Sequence, residues 1–196
     1  MNDMIFETVV TTLAADGTPH VAPFGVRYVE GQVLIKPFKP SATLTNIRSS
    51  GCAVLNLTTD VRVFAGAVTA RWLGTRTWAL LPVAAVAGVR LAQALAHSAL
   101  ALAHDDDDPE RPTLTLRRVH DELHLPFAGF NRAQAAVVEG AVLVSRLHLL
   151  APAKVDAELA YLQIAIDKTA GDAEREAWGW LQQAVALHRR GASSSS

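Results

Sequence analysis

Residues 6–38 read FETVVTTLAADGTPHVAPFGVRYVEGQVLIKPF, and this stretch decides the fold. It contains three runs rich in β-branched residues, at 6–13, 20–29 and 32–38. The pairs Asp16-Gly17 and Glu30-Gly31 separate these runs, and such pairs are typical of tight hairpin turns. Because the connections are short, each strand should pair antiparallel with its neighbour in sequence. The start of the chain is therefore predicted to form a three-stranded meander.

Regular elements are also predicted further along the chain. Ser41 is a good N-cap for a short helix over 42–48, and the almost continuous apolar run at 52–58 predicts a strand buried on both faces. Alternation over 113–119 predicts a strand that rejoins the sheet. Apolar residues recur at helical spacing in three later segments, at 131–150, 153–169 and 172–190. The Val-rich centre of the first of these segments also suits a strand, whereas the last two predict an α-helical hairpin.

The segment 78–104 is rich in Ala and Leu, and residues 78–103 contain no Asp or Glu. Its apolar spacing predicts a helical insertion into the β domain. Pro82, Gly88 and Arg90 interrupt the run of about 20 apolar residues that a membrane span needs, so no membrane association is expected. The predicted organisation is a domain over 1–150, a helical hairpin over 151–191 and a disordered tail over 192–196.

The overall composition limits the possible functions. Half of the residues are apolar, and 18 basic against 19 acidic residues leave a net charge of −1. This balance gives no electrostatic reason to expect binding to nucleic acid. The single cysteine, Cys52, excludes an internal disulfide and any multi-cysteine metal site. The chain starts without a basic segment followed by an apolar one, so a cytoplasmic location is expected.

Common catalytic motifs are missing from the sequence. There is no GxGxxG, GxxxxGK[ST] or GxSxG pattern. The segment HDELH at 120–124 spaces two histidines four apart, but Asp121 stands where the zincin pattern needs Glu. His97 and His104 lie seven apart. We expect these histidines to lie at the surface or in an interface, and no metal site is predicted.

The segment 23–46 is the richest in candidate binding residues. Gly25 and Arg27 share one face of a predicted strand, and Lys36 and Lys39 flank the end of the next one. The start of the following helix is crowded with Ser41, Thr43, Thr45 and Asn46. Cations and hydroxyls at a helix N-terminus can hold a phosphate. The alternative remains that Ser41 only caps the helix and that the lysines are solvated.

Several stretches of the sequence together resemble one family. They are ETVVTT with DGTPHVAPFGVR, LIKPFKPSATLTNI, CAVLNLT, LPFAGFNRAQAAVVEGAVLVSRL and the closing KTAG helix pair. They resemble the flavin-binding split-barrel superfamily (flavin reductase-like and pyridoxamine-phosphate-oxidase-like proteins), and more narrowly the DUF447 family. The resemblance implies an α+β, mostly β fold: a six-stranded antiparallel split β-barrel of the FMN-binding type with a C-terminal α-helical hairpin. It also implies a homodimer with FMN in a groove at the subunit interface.

The resemblance further implies which residues of this chain contact FMN. Residues 23–26 would face the isoalloxazine ring with their backbone, Arg27 and Lys36 would lie near the ribityl–phosphate end, and residues within 39–46 would hold the phosphate. Asn56 and Thr58 would approach the polar edge of the ring. Asn131 and Arg132 would reach the site, from the same or the other subunit. The implied cofactor-binding residues are Pro23, Phe24, Gly25, Val26, Arg27, Lys36, Lys39, Ser41, Thr43, Asn46, Asn56, Thr58, Asn131 and Arg132.

The leading functional hypothesis is an FMN-binding flavoprotein, acting as an oxidoreductase. No residue is predicted as catalytic, and His20, on the strand of Gly25, is the nearest acid–base candidate. One alternative is a non-catalytic flavin- or nucleotide-binding carrier. Another is a helical docking protein, because four tryptophans (Trp72, Trp78, Trp178 and Trp180) lie in or beside the Ala/Leu-rich segment and the helical hairpin.

Overall fold

The computed structural model describes residues 4–193, with side chains described as far as Gly191. These residues form two compact units, one of residues 4–58 with 78–127 and the other of residues 59–77 with 128–193. The unit boundaries therefore differ from the predicted division after residue 150, because residues 59–77 and 128–150 belong with the C-terminal helices. The last helix continues to Ser193, and the rest of the predicted tail, 194–196, lies outside the described residues.

The first unit is a closed antiparallel barrel of six strands, with the spatial order β1-β2-β3-β8-β7-β4. Strands β5 and β6 form a separate two-stranded hairpin. A single helix in this unit, α1, connects β3 to β4. The bounds are β1 Phe6–Leu13, β2 Pro19–Val29, β3 Gln32–Ile35, α1 Ala42–Ser50, β4 Cys52–Leu57, β5 Leu80–Val83, β6 Gly88–Leu91, β7 Ala96–Asp105 and β8 Leu114–Leu123. The predicted six-stranded antiparallel barrel is confirmed.

The N-terminal meander forms as its turn signals and alternation predict. β1 pairs with β2 from Phe6↔Val26 to Leu13↔Pro19, and β2 pairs with β3 through Arg27↔Leu34. Val26 and Val33 are fully buried in the barrel core. Since side chains alternate along a strand, the residues on either side of Val26 face outward. The third strand ends at Ile35, three residues before the predicted end.

The predicted helical insertion over 78–104 is wrong, because this segment forms β5, β6 and most of β7. β7 pairs with β4 on one side, from Cys52↔Ala101 to Leu57↔Ala96, and with β8 on the other. Alanine favours helices intrinsically, and alanines at many positions satisfy a helical spacing by chance. Two neighbouring strands supply the hydrogen-bond ladders that override this local preference.

β4 is buried on both faces, as its apolar run predicts, and only Leu57 at its end is exposed. One face lies in the barrel core, and the other is covered by the β5–β6 hairpin. A Cβ atom at Gly88 on β6 would lie 2.9 Å from Val54 Cγ2, so a glycine at this position allows close packing on β4.

The second unit consists of four helices: α2 Arg62–Leu73, α3 Arg132–Ser145, α4 Pro152–Thr169 and α5 Asp172–Ser193. Helix α2 was not predicted, and α3 resolves the helix–strand ambiguity in favour of helix. Trp178 on α5 is buried and packs at Gly140 on α3, where a Cβ atom would lie 2.8 Å from the indole. The indole N–H of Trp178 donates to Gln163 Oε1 on α4 at 2.7 Å. This tryptophan thus fills the core of its own helical unit.

Within residues 4–193, no helix has both the length and the apolar character that crossing a membrane requires.

Candidate functional site

A cavity of about 210 Å³ opens on the outer surface of the barrel, beside strands β2 and β3. Its lining residues are Ile5, Gly25, Arg27, Leu34, Lys36 and Arg111. Three of these six side chains are cationic, and none is acidic. A concave site with this charge favours an anionic ligand.

Arg27 is the most informative residue of the cavity. It stands on β2 opposite Leu34 of β3, on the outward face that it shares with Gly25. Its Nε atom is buried and has no hydrogen-bond partner within the described part of the chain. A buried donor without an acceptor costs about 1–3 kcal/mol, and more when the group is charged. An anion bound in the cavity would supply the missing acceptor.

The other two cations reach the cavity from different parts of the chain. Lys36 directly follows β3 and is exposed. Arg111 lies in the loop of residues 106–113, which connects β7 to β8. Its Nε donates to the backbone oxygen of Lys36 at 3.3 Å, and its guanidinium group stacks 4.2 Å from the centre of the Phe38 ring. These contacts hold Arg111 beside the end of β3.

The acidic run at 105–108 shapes the loop that carries Arg111. Asp108 Oδ1 accepts from the backbone N–H of Arg111 at 2.8 Å and of Glu110 at 2.9 Å. Asp106 Oδ1 accepts from the N–H of Thr113 at 2.6 Å. These backbone hydrogen bonds lower the pKa of both aspartates. The carboxylates of this run therefore fix the conformation of the loop.

Gly25 brings the strand backbone to the edge of the cavity. A Cβ atom here would lie 2.8 Å from Ile5 Cγ2, which is closer than real Cβ contacts permit. The glycine thus allows Ile5 to pack across β2 while the backbone of this strand stays exposed. A flat ring can approach such a backbone closely.

The other three residues of the segment 23–26 lie on both faces of β2. Val26 is buried in the core, and Phe24 packs against the same core cluster. Pro23 stands on the outward face with Gly25, paired with Val9. His20, earlier on the strand, is half-buried, and this burial lowers its pKa.

The predicted phosphate site at the start of α1 does not coincide with the cavity. Lys39 forms an ion pair with Asp107 at 3.2 Å. Ser41 caps α1, accepting from the N–H of Leu44 at 3.3 Å. Thr43 is 1% exposed. Asn46 is buried, and its Nδ2 donates to Thr12 Oγ1 at 3.0 Å.

Asn56 is fully buried and has a structural role. Its Nδ2 donates to Val9 O and to Thr11 Oγ1, both at 3.1 Å. Its Oδ1 accepts from the N–H of Leu91 at 2.7 Å and so ties β6 to β4. These bonds leave no surface for contact with a ligand. Thr58, just after β4, is partly exposed and does not line the cavity.

Asn131 and Arg132 belong to the helical unit. Asn131 caps α3, with its Oδ1 accepting from Ala133 N at 2.8 Å and Gln134 N at 3.2 Å. Its Nδ2 donates to Thr169 O at 3.0 Å. The oxygen and the nitrogen of this side-chain amide are therefore both engaged in hydrogen bonds within the helical unit. Arg132 is exposed in the first turn of α3.

Of the predicted residues, Gly25, Arg27 and Lys36 line the cavity together, and Arg111 was missed. The sequence contains one indication of the Arg111 loop. Asp108 precedes Glu110 and Arg111 at the spacing of a turn in which an aspartate accepts from the N–H groups that follow it. Such a turn predicts an ordered loop, but it does not predict which surface the loop reaches.

The barrel defines the fold class of this protein, a six-stranded antiparallel split barrel accompanied by helices. The structure is similar to a crystal structure of an FMN-bound DUF447 protein from Methanosarcina mazei, with a TM-score of 0.76 and 19% identity over 92% of this chain and 94% of that one. It is also similar to flavoredoxin from Methanosarcina acetivorans, with a TM-score of 0.52 and 12% identity over 63% of this chain and 74% of that one.

A third similar structure is the 2-nitrobenzoate 2-nitroreductase of Pseudomonas fluorescens, with a TM-score of 0.52 and 20% identity over 60% of this chain and 64% of that one. No curated protein matches the chain significantly. Residues 6–125 match the family described as "Protein of unknown function (DUF447) N-terminal domain", and residues 131–183 match "Protein of unknown function (DUF447)". The chain belongs to the DUF447 family.

Proposed function

We propose that the protein binds FMN, with the phosphate in the cavity lined by Arg27, Lys36 and Arg111. The buried Nε of Arg27, which finds no acceptor among the residues that the structure describes, is the observation that carries this proposal. Arginine and lysine donors form strong charge-assisted bonds to phosphate oxygens. The donor set therefore fits the dianionic end of FMN. The FMN-bound relative from Methanosarcina mazei supports the choice of this ligand.

The flavin ring is proposed to lie along the outward face of β2, at Pro23 and Gly25. The exposed backbone at Gly25 allows a flat ring to approach closely. FMN, when bound, supplies electron- and hydride-transfer chemistry, and the protein contributes its binding and orientation. The residues retained from the sequence prediction are Pro23, Gly25, Arg27 and Lys36, with Arg111 added. We propose no ligand contact for the side chains of Lys39, Ser41, Thr43, Asn46, Asn56 or Asn131.

A homodimer is proposed to complete the site. The cavity of about 210 Å³ is smaller than the roughly 300–1,000 Å³ of common ligand pockets. Two apolar side chains beside it, Ile5 and Phe38, are 55% and 66% exposed. A second copy packed on these side chains would cover them and extend the cavity. Sedimentation velocity tests this, with a dimer expected at micromolar concentration.

We further propose that the bound flavin makes the protein an oxidoreductase. The similarity of its fold to a nitroreductase and a flavoredoxin supports this class of reaction. A stopped-flow mixture of FMN-loaded protein with NADH or NADPH is expected to bleach the flavin absorbance. If FMN binds but neither nicotinamide bleaches it, and no electron acceptor is reduced, the protein is a flavin carrier.

FMN titration of flavin-free protein, followed by quenching of flavin fluorescence, tests the binding proposal. Replacing Lys36 with Met should raise the Kd by about tenfold, because one charge-assisted bond to phosphate is lost. Arg117→Met is the matched control, since Arg117 is an exposed cation of the same barrel that does not line the cavity. An equal rise in Kd for both variants would show that FMN affinity depends on the net charge of the barrel and not on a contact with Lys36.

A further inference from the structure

A second cluster of polar side chains lies at the other end of β8 from the Arg111 loop. It is formed by His97 at the start of β7 and by Glu122 and His124 at the end of β8. The β7–β8 ladder pairs His97 directly with Glu122. Since 27 residues separate the two histidines, only this strand pairing brings them together. The spacing of the two histidines in HDELH does not reveal the cluster, because the histidine that contacts His124 is His97, on another strand.

The three side chains are close enough to share one ion. One ligand atom from each of His97, Glu122 and His124 lies within 4.8 Å of the other two. The closest pair is His97 Nδ1 and His124 Nε2, at 2.8 Å, and the two rings are almost parallel at 4°. A carboxylate oxygen of Glu122 lies 3.8 Å from the other ring nitrogen of His124.

His97 is held in a buried position at the centre of the cluster. His97 is 2% exposed, and this burial lowers its pKa, with the neighbouring His124 as the next cause. A neutral imidazole offers a metal ion one ring nitrogen with a lone pair. In the present hydrogen bond, one of the two facing nitrogens carries a proton. That ring changes tautomer when both nitrogens become ligands, with no change in total charge.

We propose that His97, Glu122 and His124 form a binding site for a divalent first-row transition-metal ion such as Zn²⁺. Two imidazoles with one carboxylate suit such ions, whereas Ca²⁺ and Mg²⁺ need mainly oxygen ligands. Tetrahedral Zn²⁺ with bonds of about 2.0–2.1 Å places two ligand nitrogens about 3.3 Å apart. The two ring nitrogens therefore separate by about 0.5 Å on binding, and both rings turn so that the lone pairs that now face each other converge on the ion. The fourth position is left to water.

Nearby cations limit the affinity of this site. The charge of Arg90 and the neighbouring His120 contribute to lowering the pKa of His97, and Glu122 acts in the opposite direction. The guanidinium group of Arg90 donates to the backbone oxygens of Leu91 and Ala92, so it is held in place. Glu122 is the only negative ligand, and its removal should weaken metal binding strongly.

The metal site is independent of the proposed flavin site. Glu122 stands eight residues after Leu114 along β8, about 25 Å in extended strand, whereas Arg111 precedes that strand. Loss of metal binding and loss of FMN binding are therefore separable by substitution.

The test is a zinc titration of the tag-free full chain, stripped with chelator, by calorimetry near neutral pH. We expect one Zn²⁺ per chain, with a dissociation constant that rises by about 100-fold in His124→Ala and in Glu122→Gln. His104→Ala is the matched control, because His104 is an exposed histidine on the same strand β7 outside the cluster. Zinc affinity should be unchanged in this control.

Two results overturn the proposal: no stoichiometric binding at micromolar zinc, or binding that both His124→Ala and Glu122→Gln leave unchanged. Circular dichroism establishes that each variant is folded. If His124→Ala does not fold, Glu122→Gln decides alone, because Glu122 is an exposed side chain whose replacement leaves the core intact. Imidazole nitrogen shifts of His97 and His124 on zinc addition give a second, structural readout.

Discussion

Replacing Arg27 with Met should strengthen the flavin-free fold and weaken FMN binding at the same time. Within residues 4–193, the Nε atom of Arg27 is a buried donor without an acceptor, and such a donor costs about 1–3 kcal/mol. Met keeps most of the aliphatic stem and removes this donor. We therefore expect the free energy of unfolding of the flavin-free protein to rise by about 1 kcal/mol.

FMN binding should change in the opposite direction. A hydrogen bond to a charged group contributes about 1.5–3 kcal/mol, so the Kd for FMN should rise by about 10- to 150-fold in Arg27→Met. Urea denaturation measures the stability, and flavin fluorescence titration measures the affinity. Arg117→Met controls for the loss of one positive charge. A variant that is less stable but binds FMN normally would refute the reasoning, because Arg27 would then be a structural residue.

Three further predictions concern packing, buried hydrogen bonds and pH. Gly25→Ala places a methyl group 2.8 Å from Ile5 Cγ2, and urea denaturation should show a free energy of unfolding lower by about 1–3 kcal/mol. An unchanged free energy of unfolding would show that Ile5 can move aside. Asn56→Ala leaves buried backbone groups unpaired and should lower the free energy of unfolding by about 3 kcal/mol or more in the same assay. A decrease below about 1 kcal/mol would contradict the structural role of Asn56. The pKa values of Asp106 and Asp108 are lowered, so the loop that they order should be complete above about pH 4 and lost as the pH falls through the depressed values. Hydrogen exchange of the Thr113 and Arg111 amides in flavin-free protein should therefore speed up, beyond its intrinsic pH dependence, only below about pH 4, and a loss of protection near neutral pH would contradict this.

The elements with strong local signals were the ones that the sequence predicted well. Strand β1 has the predicted bounds, because β-branched residues and a turn at Asp16-Gly17 both favour it. Helix α1 begins after the predicted N-cap Ser41 and ends at Ser50, where the C-cap Gly51 has a φ of 70°. In these places the local preference and the tertiary structure agree.

Segments whose structure depends on distant partners were predicted poorly. β7 was predicted as helix because its alanines carry no strand preference, and its ladder with β4 pairs residues 39 to 49 positions apart in sequence. Arg111 was missed for the same reason, since 75 residues separate it from Lys36, whose backbone it contacts. Asn56 was interpreted as a ligand residue because burial beneath β6 cannot be read from a single strand.

The most direct test of the account compares the affinities of flavin-free protein for FMN and for riboflavin, which lacks the phosphate. Three cations in one cavity predict that FMN binds about 100-fold or more tightly than riboflavin. In Arg111→Met this ratio should fall by about tenfold while riboflavin affinity stays the same. Equal affinities for the two flavins, or no binding of either, would contradict a phosphate site formed by Arg27, Lys36 and Arg111.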